Sequence, residues 1–260
     1  MEIAYTRAGT GVPLVLLHAF PLTSDMWSAQ RGGLSREAEV LTPDQRGFGE
    51  SAGPDAFVGT APDLQVVVDD LAALLDRLDL PEVALGGLSM GGYVAMAFLR
   101  RYPERVRGLL LANTKASADP PEAASNRLRI AATVEQAGSS DLLLTEVAPK
   151  LLSEHTRTLD PALAKHVADM VRTAPADAVA WAQRAMAARA DSFDVLAACQ
   201  VPVLVVAGES DALMPATEAE AMAQAARDVE LVVIPDVGHL SALEAPREFN
   251  AAVSGLLKRV

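Results

Sequence analysis

Residues 83–96, Val-Ala-Leu-Gly-Gly-Leu-Ser-Met-Gly-Gly-Tyr-Val-Ala-Met, constrain the fold more than any other stretch of this chain. An apolar run of strand character reaches Gly86 and Gly87, one serine follows, and an amphipathic helical pattern begins at once. Ser89 stands between Gly87 and Gly91 in a Gly-x-Ser-x-Gly spacing. That spacing predicts a buried parallel strand turning sharply into a helix, with the serine at the corner. Glycines on either side carry no Cβ to collide where strand and helix approach. The corner residue is expected in a strained conformation, at a cost of about 1–3 kcal/mol. Its hydroxyl then faces open space, and the helix N-terminus behind it favours negative charge. Glycine-rich turns also bind phosphate, so the role of the corner rests on the rest of the chain.

Other apolar runs flank this one. Glu2–Ala8 alternates weakly and reads as a first strand, with Gly9-Thr10-Gly11 as a hairpin turn into Pro13–His18. A fully apolar run such as Leu14–Leu17 suits a strand covered on both faces. Ser24 and Asp25 are candidate caps for a short helix carrying Met26 and Trp27. Glu39–Pro43 is a further strand, and Pro62–Leu78 has apolar residues at helical spacing. After the serine corner comes a helix to about residue 102, then a strand at Val106–Ala112. Strands return at Val201–Ala207 and Val229–Ile234, with helices over Thr217–Ala226 and Ala242–Lys258. Between them, from Lys115 to Ala190, the chain is alanine-rich and helical, broken at Pro120-Pro121, Gly138, Asp160-Pro161 and Pro175. That stretch is too long for a plain loop. It is expected to form three to five helices covering the site.

Strands alternating with helices imply a doubly wound sheet. In such sheets functional groups gather just past the carboxyl ends of the strands. Asp211 follows the run at 201–207, and His239 follows the run at 229–234. A serine hydroxyl is a weak nucleophile and needs a base to take its proton. His239 suits that role. Asp211 is expected to orient its ring, with Glu209 and Asp236 as alternatives. The other reading of Asp211 is a cap on the turn before Pro215. The oxyanion of the transition state requires backbone donors, expected from Met90 and Phe20; Pro21 has no N–H to give. His18, at a strand end, is read as a structural hydrogen-bonding residue, and His155 and His166 as solvated or capping residues. Phe20, Trp27, Met90, Trp181 and Met186 are candidates for an apolar substrate pocket. Arg46 is read as tying down the loop after Pro43. No arginine stands out as a clamp for an acidic substrate.

The net charge of −12 over 260 residues argues against nucleic acid as a partner. No apolar run approaches the roughly 20 residues of a membrane helix. The N-terminus lacks the basic start and apolar core of a signal peptide. The lone Cys199 fits a reducing cytosol and reads as a small buried residue. The four histidines are scattered, with no metal-type cluster. A cytoplasmic enzyme with a small-molecule substrate, no metal and no cofactor is expected; the oligomeric state stays open.

These residues together resemble the α/β-hydrolase superfamily. His18-Ala19-Phe20-Pro21-Leu22 and Asp44–Ser51 resemble segments of the cofactor-free haloperoxidase and esterase group. Gly87–Gly92 and Pro235–His239 resemble segments of 3-oxoadipate enol-lactonases and related esterases. Ala19 departs from the usual glycine. The resemblance implies the α/β-hydrolase fold, a mostly parallel sheet of about eight strands with a helical cap inserted after the sixth. Residues 1–114 and 191–260 would form the core and residues 115–190 the cap. It also implies a serine hydrolase cleaving a small carboxylic ester or lactone through an acyl-enzyme. Perhydrolase-type activity, carbon–carbon bond hydrolysis and a non-enzymatic ligand receptor are the alternatives. A serine at position 89 excludes the aspartate chemistry of haloalkane dehalogenases and epoxide hydrolases.

Overall fold

The computed structural model describes residues 1–260. Its strands are β1 (Tyr5–Ala8), β2 (Val12–Leu17), β3 (Ala38–Pro43), β4 (Val83–Leu88), β5 (Val106–Ala112), β6 (Val203–Gly208) and β7 (Val229–Ile234). They form one sheet in the order β1-β3-β2-β4-β5-β6-β7. All neighbours are parallel except β1, which runs antiparallel to β3. The sheet thus has seven strands, fewer than expected, and the helical insertion follows the fifth.

The expected hairpin is also corrected. Gly9 and Gly11 adopt positive φ values of 84° and 120°, so the turn forms. Yet β1 pairs with β3, because both edges of β2 are taken by β3 and β4. A strand as apolar as β2 is stabilised by burial on every side.

Helices cover both faces, each started by its own sequence. Asp63 caps Leu64–Arg77 by accepting from the Gln65 N–H at 2.9 Å. The short helix holding Met26 and Trp27 spans Ser24–Trp27 as a 3₁₀ turn and is capped by Thr23, not by Ser24 or Asp25. The last helix is broken at Ala245 into Ser241–Glu244 and Pro246–Leu257, since proline is tolerated only in a first turn.

The insertion holds six helices, one more than the upper expectation: Pro121–Ala137, Leu142–Glu146, Ala148–Leu151, Glu154–Leu159, Pro161–Arg172 and Ala176–Ala187. The expected breaks are present, and two further ones, at Val147 and at Leu152-Ser153, were not signalled by the sequence. Gly138 ends the first helix in the left-handed region, at φ 62°. Asp160 accepts from the Leu163 N–H at 2.9 Å and starts the helix at Pro161. Pro175 opens the helix at Ala176. Ile130, Val134, Val171 and Val179 belong to the same buried apolar cluster as the sheet residues, so the insertion has no separate core. No helix is long and apolar enough to cross a membrane.

Candidate active site

Ser89 has φ 55° and ψ −113°, a combination that L residues rarely adopt. Four bonds hold it there, one of them from the Tyr93 N–H to the Ser89 carbonyl at 3.3 Å. Its N–H donates to the Ala112 carbonyl of β5 at 2.9 Å. Its own carbonyl accepts from the Gly92 N–H at 2.9 Å and from the Thr114 hydroxyl at 2.8 Å. The glycines are required sterically. A Cβ on Gly87 would lie 2.1 Å from the Gly91 carbonyl carbon, and one on Gly91 would lie 2.2 Å from the Leu17 carbonyl oxygen. The sequence expectation for this corner is thus met in backbone geometry.

Asp211 and His239 come from the loops after β6 and β7 and meet in the interior. The His239 Nδ1 lies 2.8 Å from Asp211 Oδ2, and both side chains are buried. Burial opposes ionisation of Asp211. The neighbouring His239 charge, the hydrogen bonds from His239 and the Asn113 amide, and the Met214 N–H outweigh it and hold the carboxyl below the usual carboxylate range. An ionised carboxylate can only accept, so Nδ1 carries a proton toward Asp211, which directs Nε2 away from it. Oδ1 accepts from the Leu213 and Met214 N–H groups at 2.8 and 3.0 Å. Asp211 therefore caps its turn with one oxygen and meets His239 with the other. The alternatives Glu209 and Asp236 are exposed.

Two further residues brace this pair. Asn113, at the end of β5 with a positive φ of 44°, donates from Nδ2 to Asp211 Oδ2 at 2.9 Å and to the Gly238 carbonyl at 3.2 Å. Its Oδ1 accepts from the Ser241 hydroxyl. The Glu244 carboxylate accepts from the N–H groups on either side of His239, Gly238 at 3.0 Å and Leu240 at 3.3 Å. It also accepts from the Ser153 N–H of the insertion at 2.9 Å. One carboxylate thus pins the histidine loop to the helices above it. The sequence reading missed Asn113 and Glu244.

Phe20, Ser89 and His239 line one cavity of about 250 Å³. The Phe20 and Met90 N–H groups have no protein acceptor. His18 is structural, as expected. It is fully buried, its Nδ1 donates to the Ala19 carbonyl at 3.0 Å, and its Nε2 accepts from the Gln45 N–H at 2.9 Å. Burial pushes its pKa down, which keeps the ring neutral.

Not every pocket candidate reaches the cavity. Phe20 and Met186 do, joined by Ile130, Val147, Leu151, Leu213 and Met214. Trp27 does not; it is fully buried and packs against Phe249, 5.9 Å between ring centres. Trp181 does not either; it stacks on Phe57 at 5.1 Å. Met90 is buried and does not line the cavity. Tryptophans are bulky enough that packing claims them first. Arg46 makes a fork of two bonds to the Asp70 carboxylate, 2.6 and 2.7 Å, and ties the loop as expected. His155 and His166 are exposed. Cys199 is buried against the Val201 carbonyl, and burial pushes its thiol pKa up. Arg127, which the sequence did not single out, lines the cavity with Lys115.

The family model for the alpha/beta hydrolase fold matches residues 12–246. The chain belongs to this family. Among its relatives is 3-oxoadipate enol-lactonase 1 of Acinetobacter baylyi, 31% identical over 242 residues, covering 90% of this chain and 84% of the relative. A thermophilic esterase from Thermogutta terrifontis has a similar structure, with a TM-score of 0.93 and 42% identity over 98% of this chain and 93% of that one. The enol-lactonase of Burkholderia xenovorans LB400 superposes with a TM-score of 0.88 at 26% identity, covering 98% and 96% of the two chains. This α/β-hydrolase is an enzyme close to esterases and enol-lactonases.

Proposed function

We propose that this α/β-hydrolase cleaves a small carboxylic ester or lactone through an acyl-enzyme on Ser89. His239 Nε2 takes the hydroxyl proton as Oγ attacks the carbonyl carbon. The carbonyl electron pair moves onto oxygen, giving a tetrahedral intermediate. The Phe20 and Met90 N–H groups stabilise that oxyanion, each worth about 2.7–4 kcal/mol where such donors have been removed. The intermediate collapses, the alkoxide leaves, and His239 returns the proton to it. Water then repeats the sequence on the acyl-enzyme with His239 as base, freeing the acid and Ser89. Asp211 keeps the ring in the required tautomer and stabilises its charged form. No step calls for a metal or cofactor.

One observation carries the reading. A serine in a strained corner shares its cavity with a histidine whose far nitrogen is held by a buried carboxylate. The insertion acts as a cap that sets substrate size. The cavity of about 250 Å³ lies below the roughly 300–1,000 Å³ typical of drug-sized ligands, which favours a small substrate. A panel of aryl esters and lactones, run on wild type and Ser89→Ala, tests the proposal. Turnover confined to wild type is expected. Equal turnover by Ser89→Ala would refute it. Peroxide as acyl acceptor and carbon–carbon substrates belong in the same panel, since the triad serves them equally.

A further inference from the structure

Beside the serine corner sits a charge cluster that the ester mechanism does not use. Three cations converge on the single carboxylate of Asp119: Lys115 at 3.0 Å, Arg127 at 2.6 Å and Arg189 at 2.8 Å. The Asp119 side chain is 2% exposed. Asp119 and the nearby Glu218, whose charge also acts on Arg189, set two negative charges against three positive and leave a surplus of one, in a chain whose net charge is −12. A purely structural pair would balance one to one, and Arg189 alone provides that. Arg189 is spent on Asp119, on the Ser117 and Met186 carbonyls, and on the face of the Tyr93 ring 4.0 Å away. Lys115 and Arg127 are different. Both line the cavity that holds Ser89 and His239.

Their donors are not used up. Arg127 Nε serves Asp119 and Nη1 serves Gln183 Oε1 at 3.1 Å, while Nη2 has no protein acceptor. Lys115 Nζ has Asp119 as its one partner and two N–H groups to spare. Glu146, also on the cavity wall, is paired with Arg129, and the exposed Lys150 adds another cation to the lining. Glu218 accepts from the Ser117 hydroxyl and does not line the cavity. Unneutralised, partly buried cations with free donors favour an anion, and a guanidinium suits a carboxylate.

We infer that Lys115 and Arg127, buttressed by Asp119 and Arg189, form an anion subsite that takes a carboxylate carried by the substrate. The substrate class is then an acidic ester or lactone, such as a half-ester of a short dicarboxylic acid. Asp119 is a positioning residue: it holds both cations against the cavity without cancelling them. This inference rests on the reading of the cavity as the ester site.

The test pairs 4-nitrophenyl hemisuccinate with 4-nitrophenyl butyrate, esters of similar size that differ by the carboxylate. Wild type is expected to favour the acidic ester in kcat/KM. Arg127→Gln is expected to reduce that preference about tenfold to a hundredfold, the cost of losing a charged hydrogen-bond partner. Lys115→Gln should shift it the same way and stands in if the arginine variant fails to fold. A second readout needs no turnover. Succinate binding to Ser89→Ala is measured by calorimetry and should be lost in the double variant with Arg127→Gln. That loss supports the subsite even if neither ester is cleaved. No acid preference together with no succinate binding overturns it, while turnover of the butyrate ester by wild type alone leaves the hydrolase reading intact.

Discussion

Ser89, Asp211 and His239 come from loops at the ends of three strands, while Ile130, Gln183 and Met186 come from helices of the insertion; the same cavity needs both sets. The two regions are built on different terms. At the strand ends each residue sits where backbone demands are severe. Ser89 is locked in a left-handed corner, Asn113 is also at positive φ, and Asp211 spends one oxygen capping its own turn. Little else fits those positions. In the insertion most lining residues, such as Asn126, Arg127, Ile130, Gln183 and Met186, occupy ordinary helical backbone, where many side chains are compatible, while Lys115 and Asp119 lie on the segment leading into it. On the proposed reading, the chemistry is tied to backbone-constrained strand ends and the specificity to the insertion.

That contrast is open to attack by substitution. The largest effect is expected at the strand ends. His239→Ala should lower kcat by on the order of 10⁴-fold or more for every ester, whatever its charge, with the melting temperature preserved. Asp211→Asn should cost about 10⁴-fold in kcat, because an amide supports the wrong tautomer. A smaller, mixed effect is expected at the joint between the regions. Glu244→Gln keeps the shape and loses the charge that holds the Gly238, Leu240 and Ser153 N–H groups. It should lower kcat about tenfold with little change in KM, roughly the value of one charge-assisted hydrogen bond. Kinetics that show a KM effect alone would move Glu244 from the catalytic loop to the pocket.

Gly91→Ala probes the backbone directly. Its Cβ would lie 2.2 Å from the Leu17 carbonyl oxygen, so a loss of about 1–3 kcal/mol is expected in denaturant titration. The smallest effect concerns pH. Burial opposes the charge on Asp119, but Arg189 and Arg127 hold its carboxyl well below the usual carboxylate range. Asp211 is lowered as well. A carboxyl depressed in the folded state contributes stability that is fully present above its unfolded value of about 3.9 and lost as pH falls through the folded value. Melting temperature should therefore fall below about pH 4, and less steeply in Asp119→Asn than in wild type.

The same contrast explains what was legible in the sequence. Gly-x-Ser-x-Gly and the residues past β6 and β7 could be read because steric demand leaves a local signature. The rule that active groups follow apolar runs extends to β5, where Asn113, Thr114 and Lys115 brace or line the site. The cap gave only its breaks. Alanine-rich helices show where they start and stop, at Pro121, Gly138, Pro161 and Pro175, but not which face turns inward. Trp181 failed as a pocket residue for that reason, Trp27 because packing against Phe249 in the core claims it, and Arg127 passed unnoticed. Strand β1 was visible, yet its partner was not, since antiparallel pairing with β3 depends on which edge stays open. Glu244 had no local signal at all, because its three acceptor contacts join the histidine loop to a segment far away in sequence.

The central claim is that Ser89 is the attacking group and His239 its base. An organophosphonate bearing fluoride as leaving group tests both at once by mass spectrometry. A single adduct on the Ser89 peptide is expected, appearing in step with the loss of ester hydrolysis and slowed on the order of 10³-fold or more in His239→Ala. Loss of activity with Ser89 unlabelled, or labelling at the same rate without His239, would contradict the account.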